Sequence, residues 1–151
     1  MRTATVADLP DLEGVHLGSS SWHEISQDQI NQFADATGDH QWIHIDPERA
    51  AAGPFGATIA HGYLTLSVIP ALLGDLLQVE GAAQAINYGL DKVRFPAPVP
   101  VGSRIRLTVA VEEVEQVPAG YQVAIAATVE CDASPKPACA ARVLYRFLGS
   151  T

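Results

Sequence analysis

The sequence predicts an α+β fold in which an antiparallel sheet wraps around one long central helix. Three observations carry this. The stretch from Gly62 through YLTLSVIPALL toward Leu77 is apolar almost all round, as in a helix enclosed by protein rather than laid on its surface. After Gly81 the pattern changes to segments rich in β-branched or alternating residues. The turn signals between the later segments, PAPVPVG, VPAG and ASPKP, are too short for parallel crossovers, which need roughly a dozen residues or more. One buried helix followed by a run of antiparallel strands is α+β.

Taken in order, a short strand near SSWHEI precedes a helix over SQDQINQFADAT. Ser26 and Gln29 match a capping box, in which each side chain satisfies an orphan N–H at the helix start. Ile30, Phe33, Ala34 and Thr37 recur at helical spacing and turn one stripe to the core. Gly38 suits the left-handed conformation that ends a helix. Asp46 before Pro47 reads as an N-cap with proline at the first helical position, and Glu48 complements the dipole. Gly53, Pro54 and Gly56 close that short helix. The apolar helix follows, with Pro70 removing one backbone donor and kinking it. The strands are then AINYGL, KVRF, RIRLTVAVEEV, YQVAIAATVEC and ACAARVLYRFL.

A chain of 151 residues fits a single domain over 1–151, and no repeat or linker divides it. Apolar residues make up 48% and charged residues 17%, which excludes a disordered chain. The net charge of −8 argues against nucleic acid or an anionic membrane as the main partner. A local basic patch still leaves room for a small anionic ligand. The N-terminus lacks an apolar signal segment, and the longest apolar stretch is interrupted by His61, Pro70 and Asp75. A cytoplasmic protein is expected, with Cys131 and Cys139 as free, packed thiols.

The chemistry concentrates in ATGDHQWIHIDPERA, residues 36–50. Asp46 is explained by capping. Asp39 follows a helix C-terminus, where the macrodipole disfavours negative charge, although a turn aspartate bonding nearby backbone is the commoner fate. His44 lies between Ile43 and Ile45; in an extended segment it faces opposite to both. Gly38 ends the preceding helix, so a turn can bring Asp39 and His44 together. A carboxylate and an imidazole sharing one water form an acid–base unit, typically contributing ~10²–10⁴ in rate. His40, His44 and His61 invite a metal reading, but there is no HExxH and no metal is expected. Gly62 opens the buried helix, whose first N–H groups have no intrahelical partner, so a ligand oxygen can approach that backbone closely. Lys92 with Arg94, and Arg104 with Arg106, alternate along strands, either as a solvated face or as a patch for ligand phosphates.

GDHQWIHID, followed seventeen residues after His44 by HGYLTLS, resembles the MaoC-like dehydratases, the (R)-specific enoyl-CoA hydratases or hydratase 2. More narrowly, FADATGDHQWIHIDPERAAAGPFG and AINYGLDKVRFPAPVPVGSR are similar to the mycobacterial 3-hydroxyacyl-thioester dehydratases of that family. The resemblance implies a hotdog fold, a homodimer, and reversible, cofactor-free hydration of trans-2-enoyl thioesters. It places the catalytic pair on Asp39 and His44 and the oxyanion N–H on Gly62. Gln41, Tyr63 and Asn87 are expected around the substrate, and Lys92 and Arg94 near the phosphates of CoA. The family's Asn-Pro is Gln41-Trp42 here. Two alternatives on the same scaffold are a non-catalytic acyl-thioester binding protein and an acyl-CoA thioesterase.

Overall fold

Alternating side chains build the sheet. In β6 (Arg104–Val117) Ile105, Leu107, Val109 and Val111 are buried, while Arg104, Arg106, Thr108 and Ala110 between them are not. The same alternation buries Val123, Ile125, Ala127 and Val129 of β7 (Gly120–Cys131), and Ala141, Val143, Tyr145 and Phe147 of β8 (Cys139–Gly149). One sheet face is therefore continuous apolar surface. The computed structural model describes residues 1–149.

The chain begins with β1 (Arg2–Thr5), a 3₁₀ turn (Val6–Leu12), β2 (His16–Ser19) and β3 (His23–Glu24). Then come α1 (Gln27–Thr37), α2 (Trp42–Ile45), α3 (Pro47–Ala51), α4 (Gly62–Ser67) and α5 (Ile69–Leu73). β4 (Leu77–Glu80) and β5 (Ala82–Arg94) lead into β6, β7 and β8. The main sheet has the order β2-β6-β7-β8-β5, all antiparallel, with β3 also pairing with β6. Leu64, Ile69, Leu72 and Leu73 of α4 and α5 join the buried sheet residues in one core. This is the hotdog arrangement.

Several local expectations are corrected. The central helix is two short pieces broken at Val68 and ends at Leu73, not near Leu77. Pro70 cannot donate to the turn before it. Beyond Leu73 the backbone tightens into Gly74 N–H to Ala71, Asp75 N–H to Leu72 and Leu76 N–H to Leu73 bonds, and Leu77 already belongs to β4. β4 pairs with β1 in parallel. That pairing satisfies the crossover rule, because all the helices lie between the two strands. AINYGL and KVRF are one strand, β5, with register shifts at Asn87/Gly89 and Asp91/Arg94. Lys92 in that stretch takes a left-handed φ of 53°. The strand near SSWHEI shrinks to the two residues of β3.

Other details match the expectation. Ser26 accepts the Gln29 N–H at 3.1 Å, although the Gln29 side chain turns to His23 and completes only half of the capping box. Gly38 ends α1 at φ 80°, and Asp46 caps α3 by accepting the Arg49 N–H at 3.1 Å. Cys131 and Cys139 are buried free thiols in different registers, opposite Ile105 and Val129. Burial pushes the Cys139 thiol up to about 11. No helix among the described residues is long and apolar enough to cross a membrane.

Candidate active site

The site starts from the end of α1. Gly38 closes the helix through its N–H to the Ala34 carbonyl at 2.8 Å, and the chain turns away at Asp39. Asp39 Oδ1 accepts the Gln41 N–H at 3.4 Å, the backbone-bonding turn that the Gly-Asp pair suggested. Its carboxylate remains exposed on the site side of this turn.

His44 is not in an extended segment. Residues Trp42–Ile45 form one helical turn, α2, closed by His44 N–H to the Gln41 carbonyl at 3.0 Å and Asp46 N–H to Trp42 at 3.1 Å. Gln41 is its N-cap, and this turn, rather than strand alternation, buries His44. Two bonds lock α2 onto the segment before α4. The Ile59 N–H donates to the Ile43 carbonyl at 3.0 Å, and His44 Nδ1–H donates to the Ile59 carbonyl at 2.7 Å. Gln27 also donates from its side chain to the His44 carbonyl at 2.8 Å. The Ile59 bond fixes the tautomer and leaves the Nε2 lone pair free. Burial lowers the His44 pKa, aided by the neighbouring His61 and opposed by the Ile59 bond and by Asp39. His44 is therefore a neutral base at pH 7.

His61 precedes α4 and packs against both Phe33 and His44, with ring centroids at 4.9 and 3.8 Å. Its Nε2–H donates to the Asp39 carbonyl at 2.9 Å. Asp39, His44 and His61 thus gather, each offering one ligating atom within 4.8 Å of the others. This is the cluster among the described residues whose donor types suit a metal. The two imidazoles, however, lie face to face, 22° from parallel. Each lone pair stays in its own ring plane, so the pair does not converge on a common point as tetrahedral ligation requires.

Asp39, His44, His61, Gly62, Tyr63 and Phe95 line one opening of about 270 Å³. His44, Gly62 and Phe95 also border an apolar recess of about 270 Å³ that includes Phe55, Thr65 and Val99. Gly62 is the first residue of α4, so its N–H has no intrahelical acceptor. A Cβ built there would stand 3.1 Å from the Phe95 ring, so glycine keeps this approach open.

The expected substrate contacts divide. Tyr63 lines the opening and is largely exposed, its ring edge-on to Phe95. Gln41 contributes backbone bonds and leaves its side chain exposed. Asn87 sits elsewhere. It faces Tyr145 across β5 and β8 and lines a third cavity, of about 310 Å³, beside Pro70. Lys92 and Arg94 are exposed at the end of β5, with Arg94 immediately before Phe95. Trp42, in the altered part of the motif, makes contacts of its own. Arg49 stacks over its indole at 4.4 Å, and the far edge of that ring would meet a Cβ at Gly53 at 3.0 Å. The residues that sequence reasoning did not place here are Phe95, Gln27 and the ring of His61; the His-Gly pair opening α4 was the available signal for the last.

A hotdog sheet thus carries a carboxylate and a neutral imidazole at one opening beside a helix start. The chain belongs to the MaoC-like family: the MaoC like domain matches residues 10–132. It is 55% identical to 3-hydroxyacyl-thioester dehydratase Z of Mycobacterium tuberculosis over 150 residues, covering 98% of this chain and 99% of that one. It is 40% identical over 90 residues to 3-hydroxybutyryl-CoA dehydratase of Methylorubrum extorquens, covering 60% and 55% of the two chains. Among solved structures, the unliganded R-hydratase PhaJ1 of Pseudomonas aeruginosa superimposes with a TM-score of 0.73 at 25% identity, covering 91% and 83%.

Proposed function

We propose that this chain is an (R)-specific enoyl-CoA hydratase, or 3-hydroxyacyl-thioester dehydratase, a hydro-lyase that works without metal or cofactor. The observation that carries this reading is the gathering of Asp39, tautomer-fixed His44 and Gly62, the first residue of α4, around one opening. The family and the names of its relatives support the reaction class.

In the hydration direction Asp39 and His44 Nε2 hold one water. As the water oxygen bonds to C3, His44 takes one of its protons and the C2–C3 π electrons move toward the thioester. The resulting enolate oxygen accepts from the Gly62 N–H, a donor of the kind typically worth ~10²–10³ in rate. The enolate then collapses and C2 takes a proton from the same face, returned by the pair. One water is added and no other reactant is consumed. The dehydration of a 3-hydroxyacyl thioester is the reverse. Phe55, Phe95 and Val99 line the apolar recess beside the pair. Lys92 and Arg94, next to Phe95, are suited to the phosphates of CoA.

The working form proposed is a cytoplasmic homodimer. Support comes from β5, which ends the sheet order and leaves Ile86, Tyr88 and Leu90 exposed along an unpaired strand edge.

The test is turnover of a series of trans-2-enoyl-CoA substrates in the presence of EDTA, with the product's chirality read by an (R)-3-hydroxyacyl-specific dehydrogenase. An (R) product from at least one chain length is expected. An (S) product, or release of free thiol from a saturated acyl-CoA instead, overturns the proposal.

A further inference from the structure

His61 is a buried histidine set against both Asp39 and His44. It is 2% exposed, and its Nδ1 has no partner among the described residues. Its Nε2–H donates to the Asp39 carbonyl at 2.9 Å.

What the imidazole does is visible in its two contacts. Asp39 follows Gly38, at a point where the backbone is loosely held. Its N–H reaches Thr37 Oγ only at 3.5 Å, and its carboxylate accepts from Gln41 at 3.4 Å. The 2.9 Å bond from His61 is the shortest that Asp39 makes among the described residues. The same ring stacks on His44 at 3.8 Å and also contacts Phe33, at 4.9 Å and a tilted angle. A single side chain therefore touches both members of the acid–base pair without lying between them.

We propose that His61 is a positioning residue for the hydration step: its Nε2–H fixes the backbone of Asp39 while its stacked ring fixes the plane of His44. The proposal rests on the hydratase reading above. A water shared between two groups must be met by both at hydrogen-bonding distance. A misplacement of about 1 Å in such a pair costs on the order of 10²-fold in rate. The bond and the stack set the two halves of the pair relative to each other.

The test compares wild type with His61→Gln, His61→Phe and His61→Leu. Glutamine places an amide N–H about where Nε2–H stands. Phenylalanine keeps the stacked ring and loses the bond, and leucine loses both. With a trans-2-enoyl-CoA substrate, His61→Phe is expected to lose roughly 10–100-fold in kcat, with KM changed by less than about threefold. His61→Gln is expected to recover about tenfold or more relative to His61→Leu. The Asp39 carbonyl ¹³C resonance, which reads its hydrogen bond without turnover, is expected to move upfield in the Phe and Leu variants and to return in Gln. Wild-type kcat in His61→Phe, Gln no better than Leu, or an unmoved Asp39 resonance overturns the assignment. Should His61→Phe not fold, the Gln–Leu comparison and the resonance decide. Failure of wild type to turn over any enoyl-CoA contradicts the hydratase reading instead, and the resonance then still tests the bond.

Discussion

His44 and Ile59 hold each other in register. The imidazole Nδ1–H donates to the Ile59 carbonyl at 2.7 Å, while the Ile59 N–H donates to the carbonyl of Ile43, one residue before His44. A histidine fixed this way presents one tautomer, and it lines the same opening as Asp39. The geometry links a one-turn helix, α2, to the start of the central helix, and the proposed chemistry depends on that link.

The pH profile follows from the environment of His44. Burial holds its pKa below the ordinary value of 6.5. The base must be neutral, so kcat/KM is expected to be flat near pH 7 and to fall on the acid side with a limb below 6.5. Stability has the same sign. Once the pH falls below 6.5, the unfolded chain takes up a proton at this position that the folded chain refuses. The stabilisation is thus complete above 6.5 and lost as pH falls toward the depressed folded value. Denaturant midpoints and initial rates measured across the same pH series check both. An acid limb at or above 6.5 contradicts the burial of His44.

Gly62→Ala tests the helix start. Its Cβ would press on the Phe95 ring at 3.1 Å, and Phe95 is partly exposed and has room to give. Alanine is the better helix former, so stability is expected to hold or rise slightly. Turnover is expected to fall about tenfold or more as the substrate oxygen is kept from the N–H. Shortening the ring with Phe95→Leu in the same chain should restore part of the rate. Undiminished kcat/KM in Gly62→Ala places the oxyanion elsewhere.

Trp42 carries the departure from the family's Asn-Pro. Its indole lies under the Arg49 guanidinium, with its far edge close to Gly53. Trp42→Ala removes both contacts and is expected to destabilise the fold by about 2–4 kcal/mol. The melting temperature should drop accordingly, and Gly53→Ala should drop it too, because its Cβ meets the same ring. If Trp42→Ala melts with wild type, the ring is not what fixes the loop.

The free edge of β5 predicts the assembly. Wild type is expected to elute at twice the 16.0 kDa chain mass in light-scattering chromatography. Ile86→Lys with Tyr88→Lys, which puts charge on that exposed edge, is expected to shift it toward the monomer. A monomeric wild type, or an unaltered dimer in the double variant, excludes β5 as the interface.

Much of this was legible in the sequence because it is local. Gly38 as a left-handed stop, Asp46-Pro47 as a helix start, and the alternation in β6, β7 and β8 each follow from one or a few adjacent residues. The parallel pairing of β1 with β4 was not legible, since it joins two short segments more than seventy positions apart that carry little pattern of their own. The two-piece central helix was half legible. Pro70 announced a disturbance, but tertiary packing decided that the helix would end at Leu73. In the site, the Asp39 and His44 side chains could be paired from the chain break between them and the helix. The helical turn that orients His44, and the bonds to Ile59 and His61, are made by residues fifteen and more positions away. Such contacts leave no periodic trace.

The most direct test of the acid–base pair is the loss of conjugated ultraviolet absorbance when trans-2-enoyl-CoA meets wild type, Asp39→Asn and His44→Gln. Wild type is expected to consume the enoyl thioester, and each variant to lose ~10²–10⁴ in kcat while keeping its fold by circular dichroism. Full activity in both folded variants would contradict the assignment of the water to Asp39 and His44.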